Sequence, residues 1–162
     1  MNEVLEKLTQ AFREDHAILG RGFYDLSTRL RSNDLAGAKA TADELDRRAG
    51  AHIAFEEEVL YPTLRRLLSD ADADRFHGEH GMGLRAVQFL VSLPDGQPVA
   101  EGQMRELLAD SEVMERHIAE CGDVFGALGR LPDSEGIQML SRLEELRDVA
   151  PRWTEFAKAH SR

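Results

Sequence analysis

The chain has 162 residues, a formal net charge of -10, a pI of about 5.0 and 42% apolar residues, which fits one acidic globular domain. Such an acidic surface repels nucleic acid and anionic membranes, and the single cysteine rules out an intramolecular disulfide. The amino-terminal residues lack the apolar run of a signal peptide, so we expect a cytoplasmic protein with no membrane partner.

The first half of the chain is predicted to be helical, because apolar residues recur every three or four positions. One helix is predicted over residues 2–30. The cap-rich residues 32–34 then begin a second helix, which ends near residue 68. Pro62 is expected to kink this second helix, since proline cannot donate the backbone hydrogen bond that a helix needs.

The second half repeats the helical pattern. A third helix is predicted over about 70–91, and the residues 93–98, which contain proline and glycine, form the clearest loop of the chain. A fourth helix is predicted over about 99–128. A last helical segment at about 134–160 is expected to be interrupted at Pro151 and to pack on the other helices as a brace.

Short connections between long helices favour antiparallel neighbours. The predicted fold class is therefore all-α, as an up-down-up-down antiparallel four-helix bundle with an additional C-terminal helical segment. We expect a single domain over residues 1–162, with the bundle at about 2–130.

Four of the six histidines form two copies of one pattern. Asp15-His16 is followed 36 residues later by His52-x-x-x-Glu56, and Glu79-His80 is followed 37 residues later by His117-x-x-x-Cys121. The helix lengths place all four histidines near one layer of the predicted bundle. The repeat therefore predicts two helical hairpins within one pseudo-symmetric domain.

These residue types are typical of a transition-metal site. Positions i and i+4 share one face of a helix. His52 is therefore expected to point inward together with Glu56, and His117 together with Cys121. Imidazole, carboxylate and thiolate are ligands for iron, zinc, copper or nickel. Four unrelated core histidines are the alternative, but they do not explain a matched repeat. The candidate metal ligands are His16, His52, Glu56, His80, His117 and Cys121.

The segment His52-Ile53-x-x-Glu56-Glu57-x-x-Leu60-Tyr61-Pro62 resembles the second-helix motif of the hemerythrin-like (HHE cation-binding) domain family. Asp15-His16, Glu79-His80 and His117-Ile118 resemble its other motifs, so the resemblance covers about residues 10–130. It implies a four-helix bundle around a non-heme di-iron centre bridged by Glu56. The ligands that it implies are His16, His52, Glu56, His80 and His117.

The resemblance also implies a role in binding or sensing oxygen, nitric oxide, iron or redox state. We therefore expect small-ligand binding, with O2 or NO as the ligand, rather than enzymatic turnover. About two non-heme irons per chain are expected, with zinc as the alternative. A homodimer is compatible with these patterns.

The fourth helix departs from the family pattern, which has a carboxylate four or five residues after the histidine, where this chain has Cys121 and Gly122. This leaves open a mononuclear zinc or iron site, because mixed imidazole and thiolate ligation suits zinc. It also leaves open a regulatory or binding module in which Cys121 is a thiol switch, or an inert buried cysteine. His77 lies three residues before His80, outside the usual register of a fifth histidine ligand.

Two other classes of metal site lack their signatures. None of the six histidines has a glutamate three positions before it, as in ferritin-type oxidases, and the His-Glu-x-x-His of zinc hydrolases is absent. The aromatic side chains Tyr24, Tyr61 and Trp153 are predicted to be core residues rather than members of a redox relay.

Overall fold

The computed structural model describes residues 3–161 as an all-helical bundle, as the composition and periodicity predicted. Its α-helices are α1 (Glu3–Arg31), α2 (Leu35–Phe55), α3 (Tyr61–Leu67), α4 (Asp70–Ser92), α5 (Glu101–Val124), α6 (Asp133–Val149) and α7 (Trp153–His160). A π-helical turn, Glu56–Leu60, joins α2 to α3, and a 3-10 turn, Phe125–Arg130, follows α5. The predicted helix start at Asn2 and the predicted domain limits at Met1 and Arg162 lie outside the described residues.

Capping side chains set the helix boundaries. The Asp34 carboxylate accepts a hydrogen bond from the backbone N–H of Gly37 at 2.9 Å and begins α2. The Ser69 hydroxyl accepts from the backbone N–H of Asp72 at 3.2 Å and begins α4. Asn33, at a φ of 57°, supplies the left-handed residue that ends α1 and reverses the chain.

Four long helices surround one apolar core. α1 packs against α2 and α5, and α4 packs against the same two helices. Along α1 the core side chains recur at helical spacing: Leu8, Phe12, Leu19, Phe23, Leu26 and Leu30. No helix among residues 3–161 is long and apolar enough to cross a membrane.

The C-terminal segment forms α6 and α7, which pack against the outside of this core. α6 contacts α1 and α2, whereas α7 contacts α2 and α4. Ala150, at a φ of 47°, and Pro151 separate the two helices, as the proline predicted. Gly50 is required at the crossing point, because a Cβ there would lie 1.7 Å from the Pro151 carbonyl oxygen.

The predicted second helix is helical throughout, but its hydrogen bonding widens immediately before Pro62. The Tyr61 N–H donates to the Glu56 carbonyl oxygen, five residues back instead of four. A proline ring clashes with the carbonyl four residues earlier and offers no N–H, so the wider turn relieves that clash. The kink expected at Pro62 therefore takes the form of a π turn, and this turn bears directly on the site.

Candidate metal centre

The structure brings all six candidate ligands to one cluster, with one or more from each of five helical segments. His16 lies on α1, His52 on α2 and His80 on α4. Glu56 begins the π turn, while α5 carries both His117 and Cys121. Five of the six side chains are buried, and the His16 side chain is 10% exposed.

The carboxylate of Glu56 occupies the centre of the cluster, and its two oxygens face different donors. Near Oε1 lie the Nε2 atoms of His52, at 3.3 Å, and His16, at 3.6 Å. The Cys121 thiol donates a hydrogen bond to the same oxygen at 3.1 Å. We call His16, His52 and Cys121 the Oε1 half of the cluster.

Near Oε2 lie the Nε2 atoms of His80, at 2.9 Å, and His117, at 3.9 Å. The Tyr61 hydroxyl donates to Oε2 at 3.2 Å, and it also lies 2.9 Å from His80 Nε2 and 3.5 Å from His117 Nε2. We call His80, His117 and Tyr61 the Oε2 half. Tyr61 is buried, as predicted, but the sequence did not place its hydroxyl at the centre of the site. The same prediction is wrong for Tyr24, which is 59% exposed.

Carboxylates hold the outer Nδ1 atoms of three imidazoles. The Asp15 carboxylate contacts His52 at 3.2 Å, and that of Glu79 contacts His117 at 2.8 Å. Each acid therefore orients a histidine on another helix, not the histidine that follows it in the sequence. Such outer partners fix the ring orientation and raise the basicity of a metal-binding imidazole.

Two arginines hold these orienting acids in turn. Arg147 of α6 donates to Asp15 at 2.8 Å, and Arg75 of α4 donates to Glu79 at 3.0 Å. Both copies of the sequence pattern thus contain an acid that links an arginine to an imidazole, although Arg147 lies outside the repeat. The sequence repeat contained the acid and the histidine, but no spacing rule identified either arginine.

The remaining outer contacts distinguish the two halves. Glu57 contacts His80 Nδ1 at 2.9 Å. In the repeat, Gly122 corresponds to Glu57, and a Cβ at Gly122 would lie 3.6 Å from His16 Nδ1. The backbone therefore brings this position to His16, but glycine has no carboxylate to offer.

His77 does not join the cluster. Its side chain is 63% exposed, and its Nε2 lies 3.5 Å from Glu57, on the outer side of that carboxylate. Residues three apart on an α-helix differ by about 60° in direction, and the His77 imidazole lies on the exposed side of this offset.

Charge interactions hold the central pair ionised in the metal-free protein. Burial raises the pKa of Glu56, but the neighbouring imidazoles, His52 foremost, outweigh burial and hold that pKa well below its usual range. Burial lowers the pKa of His52, but Glu56 and Asp15 together overcome burial and raise the pKa to about 9. The core therefore contains a carboxylate paired with an imidazolium.

The Cys121 thiol, the Tyr61 phenol and the His16 imidazole are uncharged at ordinary pH. Burial, followed by the charge on Glu56, raises the pKa of the Cys121 thiol. The same two causes raise the pKa of the Tyr61 phenol well above its ordinary value. Burial lowers the pKa of His16, which favours its neutral form. Cys121 and Tyr61 thus become anionic only when a cation replaces their protons.

The cluster has the features that a bound cation requires. His16 Nε2 is buried without a hydrogen-bond partner among residues 3–161, because its 3.6 Å approach to Glu56 is too long for a hydrogen bond. Donor atoms of His16, Glu56 and Cys121 lie within 4.8 Å of one another, and so do those of Glu56, His80 and His117. Aromatic rings enclose the donors, with Phe12 stacked on Phe125 at 3.9 Å.

A bundle of helices that converge buried imidazoles on one carboxylate defines a cation-binding helical protein. The chain belongs to the hemerythrin HHE cation-binding domain family, whose sequence profile matches residues 7–128. No curated protein and no solved structure matches the chain. The family match ends before α6, so Arg147 and the helices α6 and α7 lie beyond it.

Proposed function

We propose that the cluster is a dinuclear non-heme centre that takes two irons when iron is supplied, with Glu56 as the bridge. The observation that supports this most strongly is the division of donors between the two oxygens of one buried carboxylate. Each oxygen faces two imidazole Nε2 atoms, which is the arrangement that a bridging carboxylate needs.

The up-down-up-down arrangement of the four long helices belongs to the same proposal. The contacts of α1 and α4 with both α2 and α5, together with the short connection at residues 32–34, support antiparallel neighbours. In that arrangement each hairpin supplies two histidines to one layer.

Metal content tests the proposal directly. Tag-free protein reconstituted anaerobically with ferrous iron should bind about two irons per chain by mass spectrometry, and air should then produce oxo-to-iron charge-transfer absorption. The variant His80→Ala should lose iron, whereas the exposed control His77→Ala should keep it. Protein that takes up no iron contradicts the proposal.

The small ligand is proposed to be O2 or NO. Bound iron supplies the reversible affinity for such a molecule, while the chain supplies a dry, enclosed site. Phe12 lies against His16, with ring centres 4.1 Å apart, and Phe76 lies against His117 at 5.3 Å. These rings exclude bulk water from the imidazoles.

Anaerobic addition of NO to the ferrous protein should give an iron–nitrosyl absorption and paramagnetic signal that decrease when NO is removed. The same titration with zinc-loaded protein is the control and should give neither signal. An unchanged spectrum in the iron-loaded protein would rule out this choice of ligand.

A mononuclear zinc site is the second candidate, because His16, Glu56 and Cys121 alone form a compact donor group. One metal per chain under saturating iron would favour it. A thiol switch is disfavoured in the metal-free protein, because Cys121 is fully buried and its thiol pKa is raised.

A further inference from the structure

The geometry points to a centre whose two halves select different metals: Tyr61 is a ligand in the Oε2 half, which retains ferric iron, and Cys121 makes the Oε1 half prefer zinc. This inference rests on the dinuclear centre proposed above. It adds a ligand, Tyr61, and a division of metals between the halves. With iron as the sole metal, both halves bind iron.

The π turn is the reason that Tyr61 reaches the centre. In a regular α-helix the next residue on the same face as Glu56 would be Leu60, four positions later. Because the turn holds five residues, Tyr61 takes that position, and its N–H closes the wider hydrogen-bond ring on Glu56. Single π turns inside α-helices occur frequently at functional sites.

The contacts of Tyr61 are those of a ligand rather than of a core side chain. A buried phenol needs one hydrogen-bond partner. The Tyr61 oxygen instead lies within 3.5 Å of donor atoms from Glu56, His80 and His117. Its ring is held beside Phe76, with centres 6.0 Å apart, so the oxygen has a fixed place among the donors.

The two donor sets differ in chemical softness. The Oε1 half offers two imidazoles, a carboxylate oxygen and a sulfur atom, and zinc prefers a closed set of four such donors. The Oε2 half offers two imidazoles, the other carboxylate oxygen and a phenol oxygen, a harder set that suits ferric iron. Cation binding releases one proton each from Tyr61 and Cys121 to solvent.

A metal-exchange experiment tests the division. Tag-free protein is loaded anaerobically with ferrous iron and oxidised with ferricyanide, which accepts one electron from each iron. It is then dialysed against excess zinc. We expect about one iron and one zinc per chain, together with a visible phenolate-to-iron absorption band. If the two donor sets did not differ, zinc should replace both ferric ions or neither of them.

Matched variants assign the donors. Tyr61→Phe should abolish the absorption band and let zinc replace the second iron. The control is Tyr24→Phe, which alters the other tyrosine of the chain, an exposed one, and should leave the band and the metal content unchanged. Cys121→Ser should lower the zinc retained and preserve the band. If Tyr61→Phe does not fold, resonance Raman spectra of the unaltered chain with ring-deuterated tyrosine give the same test, because phenolate modes then shift.

The outcomes separate this inference from the proposed function. Two irons per chain without a phenolate band, or a band that survives in Tyr61→Phe, overturns the role of Tyr61 and leaves the dinuclear centre intact. Two zincs or two irons after dialysis overturns the division of metals. A failure to bind any metal contradicts the proposed function itself.

Discussion

The Oε1 and Oε2 halves have the same scaffold but differ in their chemical support. Both imidazoles of the Oε2 half have an outer carboxylate, Glu57 on His80 and Glu79 on His117. In the Oε1 half only His52 has one, from Asp15, since Gly122 stands where His16 would need a partner. Two copies of one sequence pattern can thus bring four histidines to one carboxylate and still surround them with unequal supporting groups.

Removal of the shared carboxylate should have the largest effect, because it affects both halves at once. Glu56→Gln should lower affinity for both metals by more than the about 10–100-fold typical of an outer partner. Equilibrium dialysis measures the loss. Glu58→Gln is the matched control, since Glu58 lies in the same turn but pairs with Arg142. Equal affinities for the two variants would contradict a bridging role for Glu56.

A change of pH should affect the Oε1 half strongly through His52. Its pKa is raised from 6.5 to about 9, so its charged contacts stabilise the metal-free fold below about pH 6.5 and are lost as the pH rises through 9. Zinc must displace this proton and that of the Cys121 thiol, so zinc affinity should rise about a hundredfold per pH unit between pH 6.5 and 9 and about tenfold per pH unit above pH 9.

The measurements are thermal unfolding of metal-free protein and a zinc titration with a competing chelator, both between pH 6.5 and 9.5. The unfolding temperature should fall over the range in which zinc affinity rises. A rise of only about tenfold per pH unit over the whole range would show that His52 is neutral in the folded, metal-free chain.

Outer carboxylates should control one half each, with a smaller effect. Glu79→Gln should weaken iron retention in the Oε2 half about 10–100-fold, and Asp15→Asn should weaken zinc binding in the Oε1 half by a similar factor. Glu120→Gln is the control, because exposed Glu120 shares Arg75 with Glu79 but contacts no imidazole. Loss of both metals in either variant would argue against independent halves.

Restoration of the missing carboxylate should have the smallest effect. Gly122→Asp places an acid next to His16 Nδ1, where the Cβ fits at ordinary contact distance. We expect an increase of up to about tenfold in zinc affinity, measured by chelator competition. Gly126→Asp, at a glycine with open space around it, is the control and should leave the affinity unchanged. Unchanged affinity in Gly122→Asp would mean that His16 needs no outer partner.

The sequence predicted the parts of the site that depend on regular helical spacing. His16, His52, Glu56, His80, His117 and Cys121 recur at helical intervals, and the structure places them together. Whether they bind metal remains a prediction. The all-helical fold and the break at Pro151 also follow from local residue preferences.

The sequence did not predict features that depend on rotation between helices or on irregular backbone. The partner of His52 is Asp15, on another helix, and only the mutual rotation of α1 and α2 decides this contact. Arg147 reaches Asp15 from a segment 132 residues away. The sequence did not assign Tyr61 to the site, because regular helical spacing places Leu60, not Tyr61, on the same face as Glu56. Pro62 was the one residue in the sequence that indicated an irregular turn at this point.

The five-residue turn at Glu56–Leu60 has a consequence for sequence alignment. A homologue with one residue fewer in this turn would have a regular α-helix, with its tyrosine four positions after the glutamate and still on the same face. A one-residue gap there would therefore preserve the geometry, whereas an ungapped alignment would pair Tyr61 with the wrong column. Searches for homologues with this donor pair should accept a spacing of either four or five.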